Sequence, residues 1–221
     1  MIFKKISLCV VLLVLTLCNL NAQQHLDPEY IKVTNERAAK IVGELKLSDS
    51  EKEQIVTNII GEQYRNLSKL HDARDAKIEE VKKSDLSKEK QNSKIDKLKF
   101  KTDKAISKLH KSYINALKKY VTEEKLSEIK DGMTYGVLPK TYAAILEMIP
   151  SLTEEEKAYI YSNLKEAREH AIDGGSSNEK HAWFGKYKGR INNYLSARGY
   201  DLTKEREAWY KRIEDSKKSE K

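Results

Sequence analysis

The chain has 221 residues, 34% of them charged and 39% hydrophobic, with only 3 Pro and 9 Gly. Its length allows one domain or two small ones. The low but periodic apolar content excludes disorder and predicts a thin helical core under wet outer faces. The formal charge of +8 would ordinarily raise nucleic acid as a partner.

The N-terminus argues against that partner. Lys4 and Lys5 precede an apolar run, Ile6–Leu17, and Ala22 stands where a small residue would precede a cut. The run is about a dozen residues, against the ~20 needed to span a bilayer. It therefore reads as a secretory signal peptide over residues 1–22, with no stable membrane insertion after cleavage. Leu17 stands before Cys18, where a lipoprotein signal needs a small residue, which argues against an anchor there. Cys9 and Cys18 both lie within the leader, so the mature chain of residues 23–221 has no disulfide. That suits the periplasm of a Gram-negative cell. Without Lys4 and Lys5 the formal charge falls from +8 to +6. For an exported chain the fitting partners are an acidic polysaccharide, an anionic lipid or an acidic protein surface. Lys alternates with Glu and Asp along most of the helices, and the simplest reading of that charge is a solvated surface.

Asp27-Pro28 opens a helix over Pro28–Leu45, with Asp as cap and Pro in the first turn. Ser48 and Glu51 form a capping box for a second helix to about Lys83. Its buried side is expected to carry Ile55, Ile59, Ile60, Leu67, Leu70, Ile78 and Val81. After a turn at Ser84–Ser87, a third helix runs from about Lys88 to Tyr120. Its stripe is Ile95, Leu98, Thr102, Ala105, Leu109 and Ala116, in coiled-coil-like steps. The two make an antiparallel hairpin about 45–50 Å long.

Thr122 is expected to cap a shorter helix ending at Gly132. Gly132–Pro139 reads as a loop. Thr141–Ile149 is the most apolar piece of the mature chain and is expected in the middle of the core. Thr153 and Glu156 form a second capping box, opening a helix to about Asp173. Gly174–Asn178 reads as a flexible loop. A helix follows from about Glu179 to Ala197, then a turn at Gly199-Tyr200-Asp201. Thr203 should cap the last helix, and Lys217–Lys221 should fray.

Leu47–Ile59 also matches Leu152–Leu164 at a fixed offset, which raises an internal duplication of a three-helix unit, with halves at 46–132 and 151–216. The expected fold is thus all-α: long antiparallel helices bundled in a single domain. Cap and amphipathic pattern alone can also produce such a match.

The stretch His181–Tyr200, HAWFGKYKGRINNYLSARGY, is unlike the rest. His181, Gly185 and Gly189 share one helical face, and close helix–helix packing is the simplest reason for two interior glycines. Phe184, Ile191 and Leu195 form a core stripe. Trp183, Tyr187, Arg190 and Tyr194 form another row. Exposed aromatics beside Arg and Asn suit saccharide or carboxylate recognition, by ring stacking, amide hydrogen bonds and a bidentate guanidinium. Buried, the same residues would be ordinary core. The candidate ligand-binding residues are Trp183, Tyr187, Arg190, Asn193, Tyr200 and Asp201.

No motif fixes a reaction. His71 with Asp75, and His170 with Asp173, have helical metal-pair spacing, but nothing resembles HExxH or a compact His cluster. The mature chain has no Cys and no GxSxG. No catalytic residue, metal or cofactor is assigned.

KYKGRINNYLSARGYDL (Lys186–Leu202), with LSDSEKEQIVTNIIGEQY (Leu47–Tyr64) and the exported N-terminus, resembles the bacterial family called domain of unknown function 3826. Ile191–Leu195 and Gly199–Asp201 carry the distinctive part of the likeness, which covers nearly the whole mature chain. The resemblance implies an exported helical protein found beside genes for polysaccharide breakdown, pectin-type glycans included. It assigns no catalytic residues. Leu47-Ser48 and Leu152-Thr153 also resemble the Leu-Thr-x-x-Gln repeats of periplasmic helical stress chaperones, but here the last position is Glu51 or Glu156. The expected function is a non-catalytic accessory or binding protein of polysaccharide use, its partner a saccharide or another protein. The alternatives are a glycan-active enzyme of unrecognised type and a periplasmic chaperone-like binder.

Overall fold

A computed structural model describes residues 27–219. Residues 1–22, expected to be a leader, with Cys9 and Cys18, and the end of the basic tail lie outside the described residues. Among those described there are eight helices and no strand. Contacts divide the chain into two compact units, the first ending at Glu123 and the second beginning at Glu124.

In the first unit, α1 (Pro28–Leu45) starts where expected: Asp27 accepts a hydrogen bond from the Glu29 amide and Pro28 occupies the first turn. α2 (Ser50–Lys82) starts one residue later than its sequence suggests. Asp49, not Ser48, caps it, accepting from the Glu51 and Lys52 amides at 2.9 and 3.2 Å. A carboxylate is an acceptor with no proton to place, and it also favours the positive end of the helix dipole. α3 (Lys88–Leu117) returns antiparallel after a turn that the Gln91 side chain closes, donating to the Lys82 and Ser84 carbonyls.

α1 packs on α2 through Ala38, Val42 and Leu45 against Val56, Ile60 and Leu67, all buried. Between them Arg65 donates to Thr34 Oγ1 at 2.6 Å and to Asn35 Oδ1 at 3.0 Å. Gly61 lies directly under that asparagine, where a Cβ would collide with Asn35 Oδ1. In α3 only Ile106, Tyr113 and Leu117 are buried, all in its second half. The predicted stripe, Ile95 to Ala116, is half-buried, as the seam of a two-helix hairpin is.

In the second unit, α4 (Glu123–Met133) and α5 (Val137–Met148) are joined by three residues. Tyr135 and Gly136 both take left-handed backbone there, φ 60 and 66. The expected loop over 132–139 is therefore mostly helix. Pro139 sits in the first turn of α5, where its missing N–H costs nothing. α5 is not the middle of the core. Of its residues only Leu138 is buried, and Tyr142, Ile145, Leu146 and Met148 are half-buried.

α6 (Glu154–Ala171) and α7 (Ser177–Ala197) form the central hairpin. Ile160, Leu164, Ala167 and Ala171 of α6 meet Phe184, Tyr187, Ile191 and Leu195 of α7. The predicted capping box of Thr153 and Glu156 is present. The expected loop over Gly174–Asn178 is shorter, because Ser176 caps α7 by accepting from the Glu179 amide. α8 (Leu202–Ser219) is tied past its midpoint by Arg212, which donates to the Glu147 and Met148 carbonyls. Asp201, not Thr203, stands at its start and accepts from the Thr203 and Lys204 amides.

The internal match covers unlike local structures. Its first copy is capped by Asp49 and its second by Thr153, one position apart in the alignment. Glu51 and Asn58 are exposed, whereas Glu156 and Asn163 are buried.

Candidate functional site

α6 and α7 run antiparallel, so pairs move one turn up α6 for each turn down α7. Beside their apolar seam this builds a ladder of rings and charges. At one end His170 stacks on Trp183 with ring centres 4.3 Å apart. Next, the Tyr187 hydroxyl faces Glu166, and Arg190 lies over the Tyr187 ring at 4.5 Å while pairing with Glu166 at 3.6 Å. Then Tyr159 stacks on Tyr194 at 3.8 Å, and Arg198 bonds both the Tyr194 hydroxyl and Glu155. Beyond the helix end, Tyr200 donates to Glu156 Oε2 at 2.8 Å.

The six candidate residues do not form one cluster. Trp183, Tyr187 and Arg190 share the first rungs. Tyr187 is 2% exposed and belongs to the core; burial, then the facing Glu166 carboxylate, pushes its hydroxyl above the ordinary range. Tyr200 and Asp201 lie further along, about 15 Å beyond Arg190 and about 25 Å beyond Trp183 from the rise of the helix. Both serve the fold there, Tyr200 by holding Glu156 and Asp201 by capping α8. Asn193 is exposed on the outer side of α7.

The two glycines are not packing residues. A Cβ at Gly185 or Gly189 would meet nothing within 4 Å, so both face open space. Neither is in a left-handed conformation. Gly185→Ala and Gly189→Ala should therefore each stabilise the second unit by up to about 1 kcal/mol, through helix propensity alone. Urea midpoints of the single and double variants test this. A loss of stability would mean that a neighbour occupies that face.

Sequence reasoning missed the polar core of the second unit. Arg168 is 2% exposed. Its Nη1 donates to Asp131 Oδ1 and Ser127 Oγ, both at 2.8 Å, and its Nη2 lies 3.4 Å from Glu169. Lys130 pairs with Glu169 at 2.6 Å. Lys180, also buried, donates to the Met133 carbonyl at 3.0 Å. The only sequence signal was position: Arg168 and Lys180 fall on the apolar faces of their helices.

Glu156 is the best-defended carboxylate. The Thr153 amide, the Tyr200 hydroxyl and the nearby Arg198 hold its carboxyl below the ordinary value of 4.5. Because the folded value is the lower one, the associated stability is present above pH 4.5 and is lost as pH falls through the folded value. Thermal midpoints should fall on acidification more steeply in the native chain than in Glu156→Gln. Equal slopes would show that Glu156 is not the titrating group.

No group of three or more His, Cys, Asp or Glu is placed to hold a metal among the described residues. No helix there is long and apolar enough to cross a membrane. The pattern defining the family described as protein of unknown function, DUF3826, matches residues 31–215. The chain belongs to that family. The match reaches into every helix of both units and includes Ile191–Leu195 and Gly199–Asp201. No curated protein matches the chain.

Proposed function

We propose that the chain is an exported, non-catalytic accessory protein of polysaccharide utilisation, pectin-type glycans included, and that it binds saccharide on the Trp183–Arg190 end of the α6–α7 ladder. One observation carries this reading. The acids of the ladder are already committed: Glu166 to Arg190, Glu155 to Arg198, Glu156 to Thr153 and Tyr200. A general acid and base drawn from them would have to break the contacts that hold α6, α7 and the start of α8. What the ladder leaves to solvent is suited to recognition: the half-buried Trp183 ring and the Arg190 side chain, 46% exposed. Rings stack on sugar C–H faces and a guanidinium grips carboxylate.

The test is an oligosaccharide titration of the mature chain, followed by tryptophan fluorescence, with product analysis of the same mixtures. Saturable quenching without new products is expected, lost in Arg190→Ala and reduced in Trp183→Phe. Cleaved or eliminated sugar products would replace this reading with the enzyme.

A further inference from the structure

From the structure we infer that the outer ridge of α3 is a binding surface for an extended acidic polysaccharide. Lys90, Lys94, Lys97, Lys101, Lys104, Lys108 and Lys111 follow one another in alternating steps of four and three. On a helix this spacing draws a nearly straight row, here about 32 Å long with a charge roughly every 5 Å. All seven are exposed. None makes an ion pair among the described residues; Lys104 alone has a neighbour, the ring of Phe100 at 4.9 Å. The acids of the same stretch, Glu89, Asp96 and Asp103, fall outside the row. Elsewhere the charges alternate and pair, as in Lys82–Glu79 and Lys157–Glu154.

The row costs stability. Like charges one turn apart disfavour a helix by a few tenths of a kcal/mol per pair. No contact within the described chain offsets it. A polyanion would, by neutralising the row and releasing its own counterions.

The geometry favours one class of polyanion. The row is a single line, which matches a chain carrying a charge on successive sugar rings. A bilayer would engage a plane, and an interfacial helix turns an apolar face to it; α3 spends its apolar face on α2. Nucleic-acid surfaces use arginine forks and several stacking rings. α3 has no arginine, and Phe100 is the only exposed ring beside the row. Lysines act as point charges without fixed geometry, so binding should be sensitive to salt and tolerant of sugar identity.

The surface lies wholly in the first unit and does not depend on the α6–α7 reading. The full mature chain should be titrated with alginate, dextran sulfate, neutral dextran, duplex DNA and phosphatidylglycerol vesicles at two salt concentrations. One variant carries Lys94, Lys97, Lys101, Lys104 and Lys108 all changed to Gln. A second loses the same net charge through Lys119, Lys165, Lys188, Lys211 and Lys217 to Gln. Expected is alginate or dextran sulfate binding that weakens with salt, falls about tenfold or more in the row variant, and is retained in the scattered variant. Equal loss in both lysine variants, no binding to either acidic glycan, or tighter binding to DNA or vesicles would each overturn the inference. Circular dichroism of the row variant should show its helix content kept or raised, since the change removes repulsion.

Discussion

Replacing Arg168 by Met should destabilise the second unit by about 3 kcal/mol, an effect typical of breaking one side of a buried ion pair. The reason is what the change leaves behind. Asp131 and Ser127 have turned their oxygens toward Nη1, and Met supplies nothing for them. Asp131 remains 24% exposed, so water recovers part of the loss and the cost belongs at the lower end of the range. The double variant Arg168→Met, Asp131→Leu should recover much of the stability, because it removes both charges rather than one. Urea unfolding followed by tryptophan fluorescence reads this cleanly, since both tryptophans, Trp183 and Trp209, lie in the second unit. A single-variant loss below about 1 kcal/mol would show that the guanidinium is held by packing alone.

The contrast between Arg168 and the helix ends shows what was legible in the sequence. α1 was readable to its last residue because Asp27-Pro28 and a clean apolar period leave one solution. The all-α class and the α2–α3 hairpin followed from the same periodicity. Caps were less secure. Ser48 and Asp49 are both good caps, and the chain chose the carboxylate one residue on. Likewise Asp201 displaced Thr203. Neighbouring polar residues compete for one site, and differences of a few tenths of a kcal/mol decide.

Tertiary placement was the least legible. α5 is the most apolar helix, yet it lies at an edge, because hydrophobicity says that a segment prefers burial but not how many neighbours remain to cover it. Arg168 and Lys180 were invisible for the opposite reason. Their charge argues for the surface, and only partners 37 and 47 residues away in sequence, Asp131 and Met133, make their burial tolerable. The glycines of α7 depend on tertiary neighbours in the same way: close packing explains interior glycines where a neighbour is present, and a Cβ at Gly185 or Gly189 would meet nothing within 4 Å. Of the candidate site, the row Trp183, Tyr187 and Arg190 was readable as a row, but not its partners on α6, which depend on the register of the hairpin.

That register sets up the second large effect. Tyr187→Ala should cost about 3 kcal/mol, the lower end for deleting a buried aromatic ring, while Arg190→Ala should cost less than about 1 kcal/mol. The two side chains touch each other and the same Glu166, so a sequence row treats them as equals. Burial separates them. Tyr187 fills the seam between Phe184 and Ile191, and truncation leaves a cavity that rigid helices cannot close. Arg190 lies on the outside, its pair with Glu166 is 3.6 Å long, and both groups are substantially solvated. Tyr187→Phe isolates the hydroxyl: it keeps the ring and should cost no more than about 1 kcal/mol, the scale of a single polar contact. Denaturation of the three variants then sorts core from surface before any ligand is added. An Arg190→Ala variant that unfolds as readily as Tyr187→Ala would make the guanidinium part of the core and remove it from any binding surface. If instead it stays folded, loss of saccharide binding in that variant can be assigned to the surface itself.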